Sequence, residues 1–339
     1  MDGPFREIGK RETSCMLTYS VAIRTLGTAG DKFRLELLSI AAQTVQPRRV
    51  LVYIAEGYAR PSYTIGREEY VWVKKGMMAQ RVLPYDEIDS DVIFMLDDDV
   101  RLAPDSAEKM LRAMEEQGAD CVGADSFKNH KMSRKGKILA AVTSLVFPHR
   151  DQKWAFKILR NGSFSYNDHP TRNFYWSQSC GGPALMWRKD VYVRLHLEDE
   201  MWLDELPFAY GDDMLESYKL HKNGYKLGVL YDAGCEHLDG KSSSGPFRKD
   251  PRWIHTRTLA SSAVWWRAIC QPSKRRSADR LLTVLSFSAK IAWLFGVMLV
   301  VSVLKLSGRY VGAYLRGLRD SWRFVHTARF LSLRSYVLQ

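Results

Sequence analysis

Residues 91–96 (DVIFML) are apolar at nearly every position and stop abruptly at Asp97-Asp98-Asp99. A strand of that kind is buried on both faces, which is the environment of a central strand in a sheet covered by helices on either side. Residues 50–54 repeat the pattern, residues 16–25 (MLTYSVAIRT) give a third such run, and shorter runs follow at 70–73 and 119–123. Helical spacing separates them. Phe33, Leu37, Ile40 and Ala41 share one face of a helix opened by Asp31; residues 77–83 read as a helix, and Ala107, Met110, Leu111 and Met114 share a face after Pro104-Asp105. The alternation predicts an α/β fold with a mostly parallel sheet flanked by helices, whose ligands sit at the carboxyl ends of the strands. Thr25, Glu56 and Asp97–Asp99 all fall at such ends.

Residues 126–175 are basic, aromatic and rich in turns, with one apolar stretch at 138–147, and Asn161-Gly162-Ser163 reads as one more turn. Pattern returns with Gly211-Asp212-Asp213, a helix ending at Asn223-Gly224, and a strand over 225–231. Residues 281–304 then carry a single charge, Lys290. Beyond them Val311, Tyr314, Leu315, Leu318, Trp322 and Val325 share one helical face, with Arg309, Arg316, Arg319 and Arg323 on its flank.

Charge is distributed unevenly. Residues 271–339 hold twelve Lys and Arg against two acids, and so account for ten of the twelve net positive charges of the 339-residue chain. A near-neutral body argues against a nucleic-acid groove over the whole protein, while the basic, apolar end fits a membrane surface. The uncharged run 291–304 is 14 residues, against about 20 for a full span, so interfacial and spanning placements both stay open; a core-facing helix with a solvated basic side is the alternative for 311–325. Five cysteines with no close pair, and a charged N-terminus without an apolar signal core, predict a reducing compartment and the cytoplasmic face of a membrane.

Three consecutive carboxylates after a buried strand repel one another. A divalent cation relieves that repulsion, and hard oxygens suit Mn2+ or Mg2+; an acidic turn capping the next helix is the plainer alternative, although Asp105 is better placed for capping.

These residues resemble a known family. Val21-Ala-Ile-Arg-Thr-Leu-Gly, Leu38-Ser-Ile-Ala-Ala-Gln-Thr, Val50-Leu-Val-Tyr-Ile-Ala-Glu-Gly and Phe94-Met-Leu-Asp-Asp-Asp are similar, in order, to the nucleotide-binding half of family 2 glycosyltransferases with the GT-A fold. Ser179-Cys-Gly-Gly-Pro-Ala-Leu-Met-Trp resembles the acceptor-side loop, and Tyr210-Gly-Asp-Asp resembles the family's Gly-Glu-Asp helix start. The resemblance spans residues 16–238. It implies Asp97 and Asp99 as the outer members of an Asp-x-Asp motif, with Asp99 on the metal, Asp97 on the donor's ribose or the metal shell, and Asp98 lining the same site. Asp213 is then the catalytic base, beside Asp212. Glu56 reads the nucleotide base, Thr25 lies beside it, and Lys75 and Arg81 lie near the donor. His237 matches a metal or phosphate ligand. Plainer readings stand beside these: a helix N-cap for Asp212 and Asp213, a solvated surface charge for Lys75, and a structural imidazole for His237. The chain departs from the family at Ala55 and Gly27, where an acid and an asparagine are usual, so the nucleotide base stays open. It also has no Gln-x-x-Arg-Trp motif near Arg252-Trp253, which favours single sugar addition.

The expectation is therefore a metal-dependent, inverting transfer of one sugar from a nucleotide-sugar donor to a hydroxyl of a lipid-linked or saccharide acceptor. The donor half would be residues 14–125, the acceptor and catalytic half 126–270, and a membrane-associated helical tail 271–339. Trp176, Trp187 and Trp202 are candidates for an acceptor wall, and no nucleic-acid partner is expected. A nucleotidyltransferase would use a similar metal but wants a better phosphate loop than residues 26–30 offer. A non-enzymatic, basic-tailed module that binds nucleic acid or membrane leaves the acids unexplained.

Overall fold

The computed structural model describes residues 17–125, 133–238, 250–273 and 277–338. Expectations for the first 13 residues, for Cys15, for Lys274, Arg275 and Arg276, and for the stretch 245–249 lie outside them.

Strands β1 (Tyr19–Thr25), β2 (Val50–Ala55), β3 (Glu68–Val73) and β4 (Val92–Asp97) pair in parallel in the order β3-β2-β1-β4. β5 (Val100–Leu102) follows β4 but leaves the sheet, and β6 (Cys121–Ala124) re-enters it. β7 (Phe147–His149), β8 (Phe156–Ile158) and β9 (Phe164–Asn167) form a separate three-stranded sheet. β10 (Phe174–Ser177), β11 (Ala184–Arg188) and β12 (Leu227–Leu230) complete the eight-stranded sheet. β11 runs antiparallel between β4 and β6, and β12 lies parallel to β6 with antiparallel β10 at the edge. Strands from both expected halves, before and after residue 125, thus share one sheet. β13 (Cys235–His237) pairs with β5.

Each face of the sheet is covered. Tyr19, Val21 and Ile23 of β1 pack beneath α1 (Asp31–Ala41) and α2 (Ser106–Gln117). On the other face, Ala22, Leu51 and Met95 meet Leu215 and Leu220 of α5 (Asp212–Lys222) together with Leu203 and Trp202. Helix α3 (Arg134–Ser144) stands between the two sheets in sequence, and α4 (Lys189–Arg194) follows β11. The expected helix at 77–83 is a run of turns. Leu83-Pro84 gives it no room to propagate, and it is pinned from outside: Met78 N–H and Ala79 N–H donate to the Asp204 carboxylate at 3.0 and 2.8 Å.

The C-terminal region is not a detached tail. α6 (Pro251–Trp265), which runs into a π-helical turn at Trp266–Cys270, packs along α8 (Arg309–Val325). A Cβ on Gly317 would lie 2.7 Å from the His255 carbonyl, so the two helices approach backbone to backbone. Beyond α9 (Ala328–Leu331), Tyr336 is buried and its hydroxyl donates to Leu215 O of α5 at 2.6 Å. The apolar face predicted for 311–325 therefore lies largely on α6, although Leu315 and Trp322 stay exposed. α7 (Ala278–Leu304) differs. Its 18-residue core has mean hydropathy 2.1 with none of it buried.

Candidate active site

Three parallel strands end together. β4 delivers Asp97, β1 delivers Thr25 and β2 delivers Glu56 to the same edge. The β5–β13 pairing sets His237 opposite Val100, and Leu238 N–H donates to Asp99 O at 2.8 Å. His237 Nε2 then sits 3.0 Å from Asp99 Oδ1, and Asp97, Asp99 and His237 each offer one ligand atom within 4.8 Å of the others. Two hard oxygens and an imidazole at that spacing fit a divalent cation that keeps its remaining positions for phosphate and water.

Charge is balanced closely around these aspartates. Burial pushes Asp97 up, but the Arg24 and Arg81 guanidiniums outweigh it and its pKa falls below the usual range. Arg24 Nε donates to Asp97 Oδ1 at 2.6 Å and its Nη2 to Gly182 O at 2.7 Å. Asp98 is raised to about 6 by burial, with Asp97 and Asp99 adding to the shift against a hydrogen bond from the Thr25 hydroxyl. Beneath them Glu36 of α1 is fully buried, and neither of its oxygens is bonded among the described residues.

A second acidic cluster faces the first across Gly182. Arg81 Nη1 lies 3.1 Å from Asp212 Oδ2 and also bonds Asp213 Oδ1. Gly182 is wedged against that pair: any Cβ there would collide with the Asp213 carboxylate and the Arg81 guanidinium. The Gly182-Pro183 backbone joins the clusters, since Asp97 N–H donates to Pro183 O at 3.0 Å. The two acids differ in access, Asp213 being 40% exposed at its side chain and Asp212 15%. Burial, with Asp213 adding, raises Asp212 against the pull of Arg81. Glu216, one turn along α5, is raised to about 7 mainly by burial.

Asp212 and Asp213 also line a cavity of about 520 Å3 whose far side is α7. Phe287, Ile291, Leu294 and Met298 supply that wall.

The structure brings Thr25, Arg81, Asp97, Asp98, Asp99, Asp212, Asp213 and His237 around one strand edge. Arg81 differs from expectation in its partners, which are the acid pair. Glu56 is exposed at the end of β2, with its N–H on Val73 O at 2.8 Å. Lys75 is exposed too, donating to the Tyr58 hydroxyl at 2.8 Å. Trp187 and Trp202 are not an acceptor wall; both are buried in the core, and Trp202 donates to Glu200 at 2.9 Å. Trp176 lies on edge strand β10 against Phe174. Trp253 lines the cavity instead. Arg24, Glu36 and Glu216 were not anticipated. The available signals were a lone arginine inside an apolar strand, an acid on the apolar face of α1, and an acid three residues after Asp213.

Residues 53–167 match the family model described as Glycosyl transferase family 2. None of the curated proteins matches the sequence. Among solved structures, the crystal structure of GalNAc-T7 with UDP, GalNAc and Mn2+ is similar at TM-score 0.48 and 11% identity, covering 86% of this chain and 59% of that one. This chain thus spans less than two thirds of that relative. The mannosyltransferase PcManGT from Pyrobaculum calidifontis, in complex with GDP-Man and Mn2+, is similar at TM-score 0.46 and 12% identity, covering 86% of that chain and 91% of this one. Both scores fall below one half.

Proposed function

We propose that this chain, whose residues 53–167 match the model of family 2 glycosyltransferases, moves one sugar from a nucleotide-sugar donor to a hydroxyl acceptor at the carboxyl edge of β1, β2 and β4. The observation that carries the reading is the pair of acidic clusters on either side of Gly182. One has the spacing of a metal site and the other exposes a single carboxylate.

Asp97, Asp99 and His237 would hold Mn2+ or Mg2+, which when bound neutralises the donor's diphosphate as a Lewis acid. Arg24 holds Asp97 ionised and in place. Thr25, Asp98, Glu56 and Lys75 are assigned to the nucleoside side of the donor. Asp213 is the general base: Arg81 keeps its carboxylate oriented, and of the two acids lining the cavity it has the more exposed side chain. The acceptor hydroxyl gives its proton to Asp213 as its oxygen bonds to the anomeric carbon. The bond from that carbon to the diphosphate oxygen breaks, and its electron pair leaves with the nucleoside diphosphate. Attack from the side opposite the leaving group inverts the anomeric centre.

The exposed α7 and the basic residues beyond it support a membrane-associated enzyme that meets a lipid-linked or saccharide acceptor at the cytoplasmic face. The donor half 14–125 and acceptor half 126–270 are proposed as functional rather than structural divisions.

Replacing Asp213 tests the base. Asp213→Asn should lower sugar transfer by about 10²–10⁴-fold while leaving Mn2+-dependent nucleotide binding unchanged. Wild-type transfer by that variant would remove the base from Asp213.

A further inference from the structure

The cavity beside Asp213 contains two cations as well as its apolar walls. Arg257 of α6 and Lys290 of α7 both line it, close enough for their charges to repel. Neither has a carboxylate partner among the described residues. Lys290 Nζ donates to Asn161 O at 3.0 Å, and the Arg257 guanidinium lies 5.2 Å from the Tyr210 ring centre. Asp212 and Asp213, in the same cavity, both pair with Arg81 and neither pairs with Arg257 or Lys290. Two cations held among Phe287, Ile291 and Leu294 carry a desolvation cost that an anion between them would offset. Arginine with lysine is also a pairing suited to phosphate oxygens, one as a planar fork and the other as a point charge.

The wall that carries Lys290 has its other side turned outward. Leu281, Leu285, Val300 and Leu304 of α7 are all at least half exposed, and Ile138 and Leu139 of α3 lie exposed near them, where Trp293 Nε1 donates to Val142 O at 2.9 Å. One helix thus separates an outward apolar surface from an inward cavity that ends at the proposed base.

Resting on the glycosyltransferase reading, we propose that this cavity is an acceptor site for an anionic amphiphile. Arg257 and Lys290 bind its phosphate or pyrophosphate, and the α7 side of the cavity takes the first part of its hydrocarbon chain. The headgroup is thereby held beside Asp213. A neutral saccharide would leave both cations without a counter-charge, so the geometry selects a lipid phosphate over a soluble sugar.

The test uses the full chain in neutral detergent, titrated with didecanoyl phosphatidic acid, didecanoylglycerol and inorganic phosphate. Fluorescence of Trp253, which lines the cavity, is the readout, with a Trp253→Phe control and melting curves for every variant. Saturable binding of the phosphatidic acid is expected, with little response to the other two. Arg257→Gln and Lys290→Gln should each weaken it by about tenfold or more, and Ile291→Trp should block it by filling the cavity with both cations retained. Equal affinity in wild type and Arg257→Gln would overturn the proposal. So would binding of inorganic phosphate as tight as that of the lipid, or loss of the signal in an Arg316→Gln/Arg323→Gln variant of α8 instead. Calorimetry of nucleotides with Mn2+ on the same samples separates this from the enzyme reading. Arg257→Gln should keep wild-type nucleotide binding. Lipid binding without any nucleotide binding would support the headgroup site and sink the transferase alone.

Discussion

Glu36 places an acid without a hydrogen-bond partner among the described residues beneath three aspartates. Burial first, and then the charges of Asp98, Asp97 and Asp99, hold its pKa well above the usual glutamate value of 4.5. The proton stays on in the fold. A raised folded pKa means that stability is fully present below the unfolded value and is lost as pH rises toward and through the folded one. Glu36→Gln removes that dependence. The variant should melt within a degree or two of wild type at pH 4.5 and gain on it at pH 8; the opposite trend in thermal melts would show Glu36 ionised and paired. The neighbouring chemistry was legible to different depths. Asp97–Asp99 stood out because an apolar strand ends in them. Asp213 stood out because Gly211-Asp212-Asp213 resembles the Gly-Glu-Asp helix start of the family. Arg24 and Arg81 acquire their roles only through partners far away in sequence: Arg24 through Gly182, and Arg81 through Asp212 and Asp213. No local pattern encodes those pairings.

At the scale of elements, the helical C-terminal region is fastened to the catalytic body by a buried ionic knot. Glu200 receives Lys219 Nζ of α5 at 2.9 Å and Arg267 Nη2 from the π-helical turn at 2.8 Å, with all three side chains fully buried. Burial pushes Glu200 up, but Arg267 and Lys219 outweigh it and its pKa is lowered. Tyr336 closes over the knot, its ring 5.5 Å from the Arg267 guanidinium. Removing the acid leaves two buried cations facing each other. Glu200→Ala should therefore cost about 3–5 kcal/mol in urea unfolding; a loss below about 1 kcal/mol would mean that water reaches the knot. The amphipathic pattern of α8 shows why sequence could not settle its partner. A stripe of Tyr314, Leu318 and Val325 fits a bilayer and a neighbouring helix equally well, and Gly317 marks the neighbour only once the His255 carbonyl is known to lie against it.

Over the whole molecule, the sheet, the acidic edge and the outward apolar surface form a sequence of layers. α1 and α2 cover one face of the sheet and α5 with α6 the other. α7 lies outermost, with its exposed leucines and valines beside those of α3. The apolar stretch 138–147 stands out in the sequence, but nothing in its local pattern places α3 beside α7. If α3 and α7 together contact a membrane, Ile138→Glu/Leu139→Glu should shift the protein from the membrane pellet to the supernatant, whereas Arg316→Gln should act only at low salt. Unchanged pelleting of the double variant in detergent-free fractionation would limit the contact to α7.

The donor site proposed at Asp97, Asp99 and His237 is metal-dependent. Calorimetric titration of UDP, GDP, CDP and dTDP, with and without Mn2+, into wild type and Asp99→Asn tests it most directly. One nucleotide should bind only with the metal, and Asp99→Asn should weaken this by at least about tenfold. Absence of binding for all four nucleotides under every metal condition, in protein that melts cooperatively, would contradict it.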